Sequence, residues 1–217
     1  MQRFNKISIL LLIAVFIAAS ISAQDSDQRQ VQTLFGNKSG FGGYLGLNSK
    51  LGDINGQDAL FTGGEVAFVL NRSFNMGVEG YGMVNHVLSD EVTDTREKLY
   101  VQMGYGGLHL EPVINSEGLI HVTLPILLGA GGIGQTVRPF YEEYDGEVTI
   151  DFDRDFYDSD YFFVAEPGVG LELNLFKFMR ISGGASYRFT TDVDMGGLDR
   201  DDINGWNANL SLRIGWF

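Results

Sequence analysis

Apolar and polar side chains alternate along eight stretches of the chain, and this alternation is the strongest structural signal in the sequence. In residues 179–190, for example, the apolar side chains lie at odd-numbered positions, whereas Arg180 and Arg188 lie at even-numbered positions; we call these two alternating sets the apolar parity and the polar parity. The same period of two recurs, with some interruptions, in residues 39–50, 62–70, 74–86, 100–113, 119–134, 164–174 and 206–216. Side chains with this period lie on opposite faces of a β-strand. The pattern predicts eight strands, with a bulge in the fourth, where the phase slips at Gly106 and Gly107.

The connections between these strands are short and long in turn. They are predicted to be tight at residues 71–73, 115–118 and 175–178, and longer and polar at residues 52–61, 88–98, 136–161 and 191–204. An even number of antiparallel strands, with tight turns at one end and long loops at the other, is the plan of an outer-membrane barrel. Runs of about ten residues also suit a tilted strand that crosses a bilayer.

Alternation alone does not say which face of a barrel points inward. A soluble eight-stranded ligand carrier would turn its apolar face to the interior. Two features favour the membrane form: glycine and serine are frequent on the polar parity, which suits a narrow interior, and aromatic residues lie near strand ends, as in interfacial girdles. Those aromatic residues are Phe41, Phe61, Phe74, Tyr105, Phe163, Phe189, Trp206 and Trp216. We therefore predict an all-β fold, an eight-stranded antiparallel up-and-down transmembrane β-barrel with short periplasmic turns and long extracellular loops.

The first residues have the three-part pattern of a secretory signal peptide. Arg3 and Lys6 precede an apolar run at residues 9–19, which is shorter than the roughly 20 residues that a membrane-spanning helix needs. We expect cleavage after Ala23, with Ser20 as the alternative. The predicted organisation is a signal peptide at residues 1–23, a short periplasmic N-terminal segment at residues 24–38 and an outer-membrane barrel at residues 39–217.

Composition narrows the function. The chain has 15 Lys and Arg residues against 28 Asp and Glu residues, a formal net charge of −13. A nucleic-acid-binding protein needs a basic surface, so we expect no nucleic-acid partner. The sequence has no cysteine, which excludes disulfides, thiolate nucleophiles and cysteine-bound metals. Most of the acidic residues fall in the four long connections, so we expect acidic extracellular loops.

Glycine–aromatic phrases in the strands and an aromatic C-terminus carry a resemblance to a known family. The phrases are Gly40-Phe41-Gly42-Gly43-Tyr44, Glu79-Gly80-Tyr81-Gly82 and Gly104-Tyr105-Gly106-Gly107. Over residues 33–217 the chain resembles small eight-stranded outer-membrane barrels of the OmpA/OmpX shape, of the Bacteroidetes-type outer membrane beta-barrel family. The resemblance implies contact with outer-membrane lipid and reading of a terminal aromatic residue by the barrel-insertion machinery. Trp216, on the outward parity, and Phe217, off it, are the candidates for that signal.

The polar parity supplies the candidate lumen residues. We predict an ion-pair network of Glu65, Glu79, Glu111, Glu166, Glu172, Arg180, Arg188 and Arg213. The tight turn at residues 71–73 places Glu65 opposite Glu79, and the turn at residues 175–178 places Arg180 and Arg188 within one step of Glu172 and Glu166. An eight-stranded barrel has an interior just wide enough for its own side chains. A general acid/base role for the Glu65–Glu79 pair is the alternative, but nearby arginines would neutralise these carboxylates.

Two groups of residues could bind a metal ion. Asp151, Asp153 and Asp155 form an acidic repeat that could order around calcium, although an EF-hand would need Gly at Phe156 and Glu at Phe162. His109, Glu111 and His121 share the inward face of one hairpin and could hold a divalent metal. Hydrogen bonding among lumen groups is the alternative for the second group.

The third long connection contains strand periodicity of its own. Glu147, Thr149, Asp151 and Asp153 alternate with apolar residues, which predicts a hairpin that extends the sheet above the membrane.

No catalytic Ser/His/acid set, phosphate-binding loop or metalloprotease motif is recognisable in the sequence. We therefore expect no enzymatic activity and no cofactor. Three functions remain: a monomeric closed barrel that acts through its loops in interaction, adhesion or envelope integrity; a small-solute channel; and an outer-leaflet lipid-modifying enzyme. The barrel shape itself hosts all three.

Overall fold

The computed structural model describes residues 41–92, 98–116, 118–137, 141–144, 147–150, 156–193 and 195–217. The expected signal peptide and the segment at residues 24–38 lie outside these ranges. Among the described residues, no helix is long and apolar enough to span a membrane.

The described part of the chain is built almost entirely of β-strands. The elements are β1 (Phe41–Ile54), β2 (Gln57–Leu70), β3 (Phe74–Met83), β4 (Val87–Val92), β5 (Lys98–Ile114), β6 (Ile120–Thr123), β7 (Ile126–Thr136), β8 (Tyr141–Tyr144), β9 (Glu147–Ile150), β10 (Asp158–Phe176), β11 (Met179–Thr190), the helix α1 (Arg200–Ile203) and β12 (Gly205–Trp216). β3 and β4 both pair with β5, and β6 and β7 both pair with β5 and β10, so each pair acts as one barrel strand. Pro125 lies in the break between β6 and β7, where its missing N–H cannot join a ladder.

The barrel is closed. Each barrel strand pairs antiparallel with the next, and β12 returns to β1, from Trp216 opposite Gly43 to Ala208 opposite Leu51. Closure joins the first and last barrel strands, so the sheet has no terminal edge strand; β4, at the loop end, pairs with β5 alone. The structure therefore confirms the eight-stranded antiparallel up-and-down barrel. We call the end that carries the turns at residues 71–73, 115–118 and 177–178 the turn end, and the opposite end the loop end.

The outer face of the barrel is apolar. Large apolar side chains project outward and are exposed on every barrel strand: Leu45, Leu47, Val66, Phe68, Val78, Leu108, Leu128, Phe163, Val169, Leu171, Phe189, Leu210 and Ile214. A continuous apolar belt of this extent is unfavourable in water and is matched to the hydrocarbon of a bilayer. Phe41, Phe163, Trp206 and Trp216 are exposed as predicted for an aromatic girdle.

Phe61 and Tyr105 do not belong to that girdle. Both point into the barrel and are almost completely buried. The reason is that the interior of the loop half is itself apolar. In that half the inward-facing positions of the strands carry apolar side chains, whereas in the turn half they carry polar ones. Phe61 and Tyr105 pack there at a ring-centroid distance of 5.7 Å.

The predicted bulge at Gly106 and Gly107 is wrong. The register of β5 with β3 and with β7 runs through both glycines without a shift. Inward-facing residues follow a strict period of two along β5, but they change from apolar to polar, from Met103 and Tyr105 to His109. The phase slip in the sequence therefore records a change in the chemistry of the interior, and the strand itself is regular.

The first predicted long loop, at residues 52–61, is also wrong. β1 and β2 continue to a two-residue turn, Asn55–Gly56, whose φ angles are +53° and +67°. Asn-Gly with positive φ at both positions is the preferred two-residue hairpin turn. The polar residues around it belong to strands that rise beyond the apolar belt.

Two other connections differ in detail from the prediction. The last tight turn is confined to residues 177–178, because β10 extends to Phe176. The predicted hairpin in the third long connection is present as β8 paired with β9, but it forms a separate two-stranded sheet and does not extend the barrel sheet. The part of the predicted alternation at Asp151 and Asp153 lies outside the described residues.

The connection between β11 and β12 folds back onto the loop end. Its apolar side chains join a buried cluster with residues of the barrel wall; they are Val193, Met195, Leu198 and Ile203. Asp199 caps α1, accepting a hydrogen bond from the Asp201 amide at 2.7 Å. The connection is also tied to the β1–β2 hairpin, because the Asn55 amide donates to the Asp202 carbonyl at 2.8 Å. A segment predicted as a polar loop thus contributes apolar side chains to the buried cluster of the loop half.

The turn at Asn55–Gly56 can be tested with a pair of glycine substitutions. A Cβ at either Gly56 or Gly82 would meet nothing within 4 Å, but only Gly56 has a positive φ. We expect Gly56→Ala to lower the free energy of unfolding by about 1 kcal/mol, because an L-residue strains the left-handed conformation. Gly82→Ala should not lower it. Denaturant unfolding in detergent measures both, and equal effects would show that the φ at residue 56 is not the cause.

Candidate functional site

The interior of the turn half is lined with buried charged side chains. All eight residues predicted for the lumen network face inward: Glu65, Glu79, Glu111, Glu166, Glu172, Arg180, Arg188 and Arg213. The register that places Glu65 opposite Glu79 is formed, with Leu70 opposite Phe74 at the turn. Sharing the inward face does not by itself pair these charges, and the contacts differ from one residue to the next.

Arg213 lies at the centre of the network. Its Nε donates to Glu65 Oε1 at 2.7 Å, and its Nη1 donates to Glu111 Oε1 at 2.7 Å and to Glu172 Oε2 at 2.8 Å. One guanidinium from β12 thereby holds carboxylates from β2, β5 and β10. Such charge-assisted hydrogen bonds are the strong ones, and each buried charge here has a partner.

A glycine makes the contact between Arg213 and Glu65 geometrically possible. Gly46 on β1 is paired with Arg213 on one side and with Glu65 on the other. A Cβ at Gly46 would collide with the Glu65 carboxylate. The missing side chain therefore leaves the space in which two residues on non-adjacent strands meet.

Arg180 closes the network towards the turn end. Its Nη1 donates to Glu172 Oε1 at 2.8 Å, one step along the register, as the turn predicts. Its guanidinium lies 3.8 Å from the centroid of the Phe217 ring, which stacks on Tyr44. Phe217 thus turns into the barrel, whereas Trp216 is 81% exposed on the outer face. Neither position tests the predicted insertion signal.

The expected ion pair between Arg188 and Glu166 is not formed. Arg188 instead turns to the loop end, where its Nε donates to the Ile203 carbonyl at 2.7 Å and its Nη2 to the Asp53 carbonyl at 3.0 Å. Ile203 is the last residue of α1, and the carbonyls at a helix C-terminus lack intrahelical donors. No pattern in residues 191–204 indicates that this connection enters the barrel mouth, so these acceptors could not be predicted.

Lys50 takes the place predicted for Arg188. Its Nζ lies 2.7 Å from Glu166 Oε1 and 3.7 Å from the centroid of the Tyr81 ring. Glu166 also accepts hydrogen bonds from the Tyr105 and Ser186 hydroxyls, at 2.8 and 2.5 Å. Lys50 was not among the predicted lumen residues, although its parity on β1 is that of Asn48 and Gly46 and marks it as inward-facing.

His109 lies among carboxylates without making a hydrogen bond to any described residue. Its Nδ1 is 3.3 Å from Glu79 Oε2, and its Nε2 is 3.8 Å from Glu65 Oε2 and 3.9 Å from Glu111 Oε1. Within the described ranges, neither ring nitrogen has a hydrogen-bond partner. A cavity of about 60 Å³ adjoins these side chains and has room for a few water molecules.

The two predicted metal sites have different outcomes. The structure does not bring His121 to His109, because His121 lies at the tight turn with its Nδ1 2.9 Å from the Asn115 carbonyl oxygen. Asp151, Asp153 and Asp155 lie outside the described residues, so the calcium site stays a prediction.

The arrangement places side chains across the lumen at two levels. The charged layer around Arg213 occupies the turn half. The apolar cluster of the loop half, which includes Phe61, Tyr105 and Ile203, lies beyond it. The Ser186 hydroxyl donates a hydrogen bond to the Glu166 carboxylate and also contacts the Asn209 side chain. Both contacts join side chains that pack together in the lumen.

Comparisons with known proteins give matches only among solved structures. No family model matches the chain, and no curated protein matches it. Neisserial surface protein A is 10% identical, with a TM-score of 0.49 over 82% of this chain and 97% of that chain. Ail, the attachment invasion locus protein of Yersinia pestis, is 11% identical, with a TM-score of 0.45 over 81% of this chain and 97% of that chain. A second structure of Ail, in complex with the heparin analogue sucrose octasulfate, is 13% identical, with a TM-score of 0.42 over 82% and 99% of the two chains.

The pairing of Glu166 can be tested by a double-mutant cycle. Lys50→Met should lower the free energy of unfolding by about 3–5 kcal/mol, because it leaves the Glu166 carboxylate buried without its cation. Adding Glu166→Gln should recover more than about 0.5 kcal/mol of that loss. The control cycle uses Arg188→Met, which removes donors to backbone carbonyls, and Glu166→Gln should not rescue it. If Glu166→Gln instead rescued Arg188→Met, that result would support the ion pair between Arg188 and Glu166 that the sequence predicts.

Proposed function

We propose that this chain is a monomeric outer-membrane barrel of the OmpA/OmpX shape with a closed lumen, and that it acts through its loop end in interaction, adhesion or envelope integrity. The observation that carries the proposal is the packing of side chains in the lumen at two levels. One level is the charged layer around Arg213, and the other is the apolar cluster that includes Phe61, Tyr105 and Ile203. A blocked barrel holds its hairpins and loops at the membrane surface, and its activity then resides there.

The outer-membrane location rests on the outer face. A closed barrel with an apolar belt can enter a bilayer, because all its backbone groups are hydrogen-bonded between strands. Barrels of this kind have short turns on the periplasmic side and long connections outside. The proposal therefore places residues 71–73 in the periplasm and the β1–β2 turn outside the cell, after export by the signal peptide expected at residues 1–23.

The loop end presents negative charge. Among the described residues, exposed carboxylates at this end are Asp53, Asp58, Asp192, Asp199 and Asp201. The whole chain has a formal net charge of −13. A surface of one sign attracts partners of the other sign and repels those of its own. The proposal thus favours a cationic extracellular partner and assigns no catalytic role.

A planar bilayer separates the closed barrel from the alternative small-solute channel. With the folded chain inserted, we expect no steady ion conductance, because paired charges and apolar side chains fill the bore. The control is a porin of known conductance inserted under the same conditions. Steady, reproducible openings from this chain would overturn the closed-lumen part of the proposal.

The acidic surface has its own test. The folded barrel in neutral-lipid nanodiscs should bind poly-lysine at low salt, and binding should weaken as ionic strength rises. Asp58→Asn with Asp201→Asn should weaken it, whereas Asn71→Ser at the turn end should not. Equal binding by all three proteins would show that the loop end does not set the interaction.

A further inference from the structure

We propose that Glu65, Glu79 and His109 form a binding site for one divalent transition-metal ion, of the Zn²⁺ class, inside the barrel lumen. Each residue offers one ligand atom, and these atoms all lie within 4.8 Å of one another. The three residues belong to β2, β3 and β5, so the ion would link three neighbouring strands.

His109 is the observation that points to a ligand. The residue is 1% exposed, and both of its ring nitrogens lack a hydrogen-bond partner in the described part of the chain. Leaving a buried polar group unsatisfied is unfavourable, and native interiors rarely do so. Its nitrogens face the carboxylates of Glu79 and Glu65 at 3.3 and 3.8 Å, which is too loose for good hydrogen bonds. A metal ion between the ring and the carboxylates would satisfy all three groups.

The two carboxylates keep acceptor capacity for an ion. Glu65 Oε1 accepts hydrogen bonds from Arg213 and Ser211, whereas among the described residues its Oε2 accepts only one, a long one of 3.4 Å from Arg213. Glu79 accepts one hydrogen bond at Oε2, from the Tyr81 hydroxyl at 2.9 Å. Carboxylates that bind metals are commonly oriented by such outer hydrogen bonds.

The charges of the lumen leave room for a dication. His109 lies near three lumen glutamates and adds a positive charge only when it is protonated. Among the described residues, three permanently cationic side chains make ion pairs with the lumen glutamates; they are Lys50, Arg180 and Arg213. The five glutamates Glu65, Glu79, Glu111, Glu166 and Glu172 then exceed them by two negative charges. Arg188 does not change the balance within this layer, because it binds carbonyls at the loop end. One divalent ion beside a neutral His109 would balance the layer.

The donor set selects the class of metal. One imidazole nitrogen and two carboxylate oxygens suit Zn²⁺ and its neighbours, whereas Ca²⁺ and Mg²⁺ prefer oxygen ligands alone. Zn²⁺ binds such atoms at about 2.0–2.2 Å, so small rotations of the three side chains would complete the site. The adjoining cavity of about 60 Å³ can hold a water molecule as the fourth ligand.

Metal content after gel filtration tests the proposal. The folded full-length chain in detergent is incubated with Zn²⁺, separated from free metal and measured by elemental mass spectrometry. We expect about one Zn²⁺ per chain and a higher thermal midpoint, because a ligand that binds only the folded state stabilises it. His109→Gln should abolish retention, and Ca²⁺ should not be retained. His121→Gln is the matched control, a buried lumen histidine outside the cluster, and should retain the metal.

Three results would overturn the site. They are no Zn²⁺ retained by the unchanged chain, full retention by His109→Gln, and equal loss in His109→Gln and His121→Gln. If His109→Gln does not fold, Glu79→Gln serves instead, since its amide still accepts from Tyr81, and it should weaken binding by at least about tenfold. X-ray absorption of the bound Zn²⁺ should then show one imidazole, and a shell with none or with two would also overturn the assignment.

Discussion

The interior of this barrel depends on one guanidinium, which is buried away from water and must therefore be neutralised by carboxylates close to it. Arg213 is 4% exposed and holds three glutamates on three other strands. Removing a charge from water is so costly that such a group persists only with partners in good geometry. The other lumen features follow from this requirement. Gly46 leaves space for the contact, Arg180 shares Glu172, and the Phe217 ring lies over Arg180 at the turn end.

The two halves of the lumen are packed by different kinds of side chain. In the turn half, charges neutralise one another, while in the loop half Phe61, Met103 and Ile203 belong to one buried apolar cluster. Glu166 lies at the boundary, with Lys50 and Ser186 below and the Tyr105 hydroxyl reaching it from the apolar side. The polarity of the barrel wall therefore changes in two directions: between the outer and inner faces of the sheet, and along the barrel axis on the inner face.

Much of the architecture was predictable, because strand periodicity and tight turns are local properties. The turn at residues 71–73 sets the register of β2 with β3, and the sequence alone placed Glu65 opposite Glu79. The Asn55–Gly56 turn is equally local, and its Asn-Gly pair is itself the sequence signal of a two-residue hairpin turn. The partners of Arg188 and Lys50 were not local. They depend on a connection that folds across the barrel mouth, and no periodicity in the sequence encodes that position.

The sequence separations within the Arg213 network bear on how the barrel forms. Arg213 is 148 residues from Glu65, 102 from Glu111 and 41 from Glu172. Contacts between distant residues form late, because the chain must first lose the entropy of closing large loops. Until β12 meets β1, Glu65 and Glu111 lack the Arg213 guanidinium, and Glu172 has only Arg180 as its cation. An open sheet therefore gains little from most of the charges that it carries. The network therefore makes assembly close to all-or-none: the last strand to arrive brings the group that stabilises the others, so partly assembled sheets are disfavoured relative to the closed barrel.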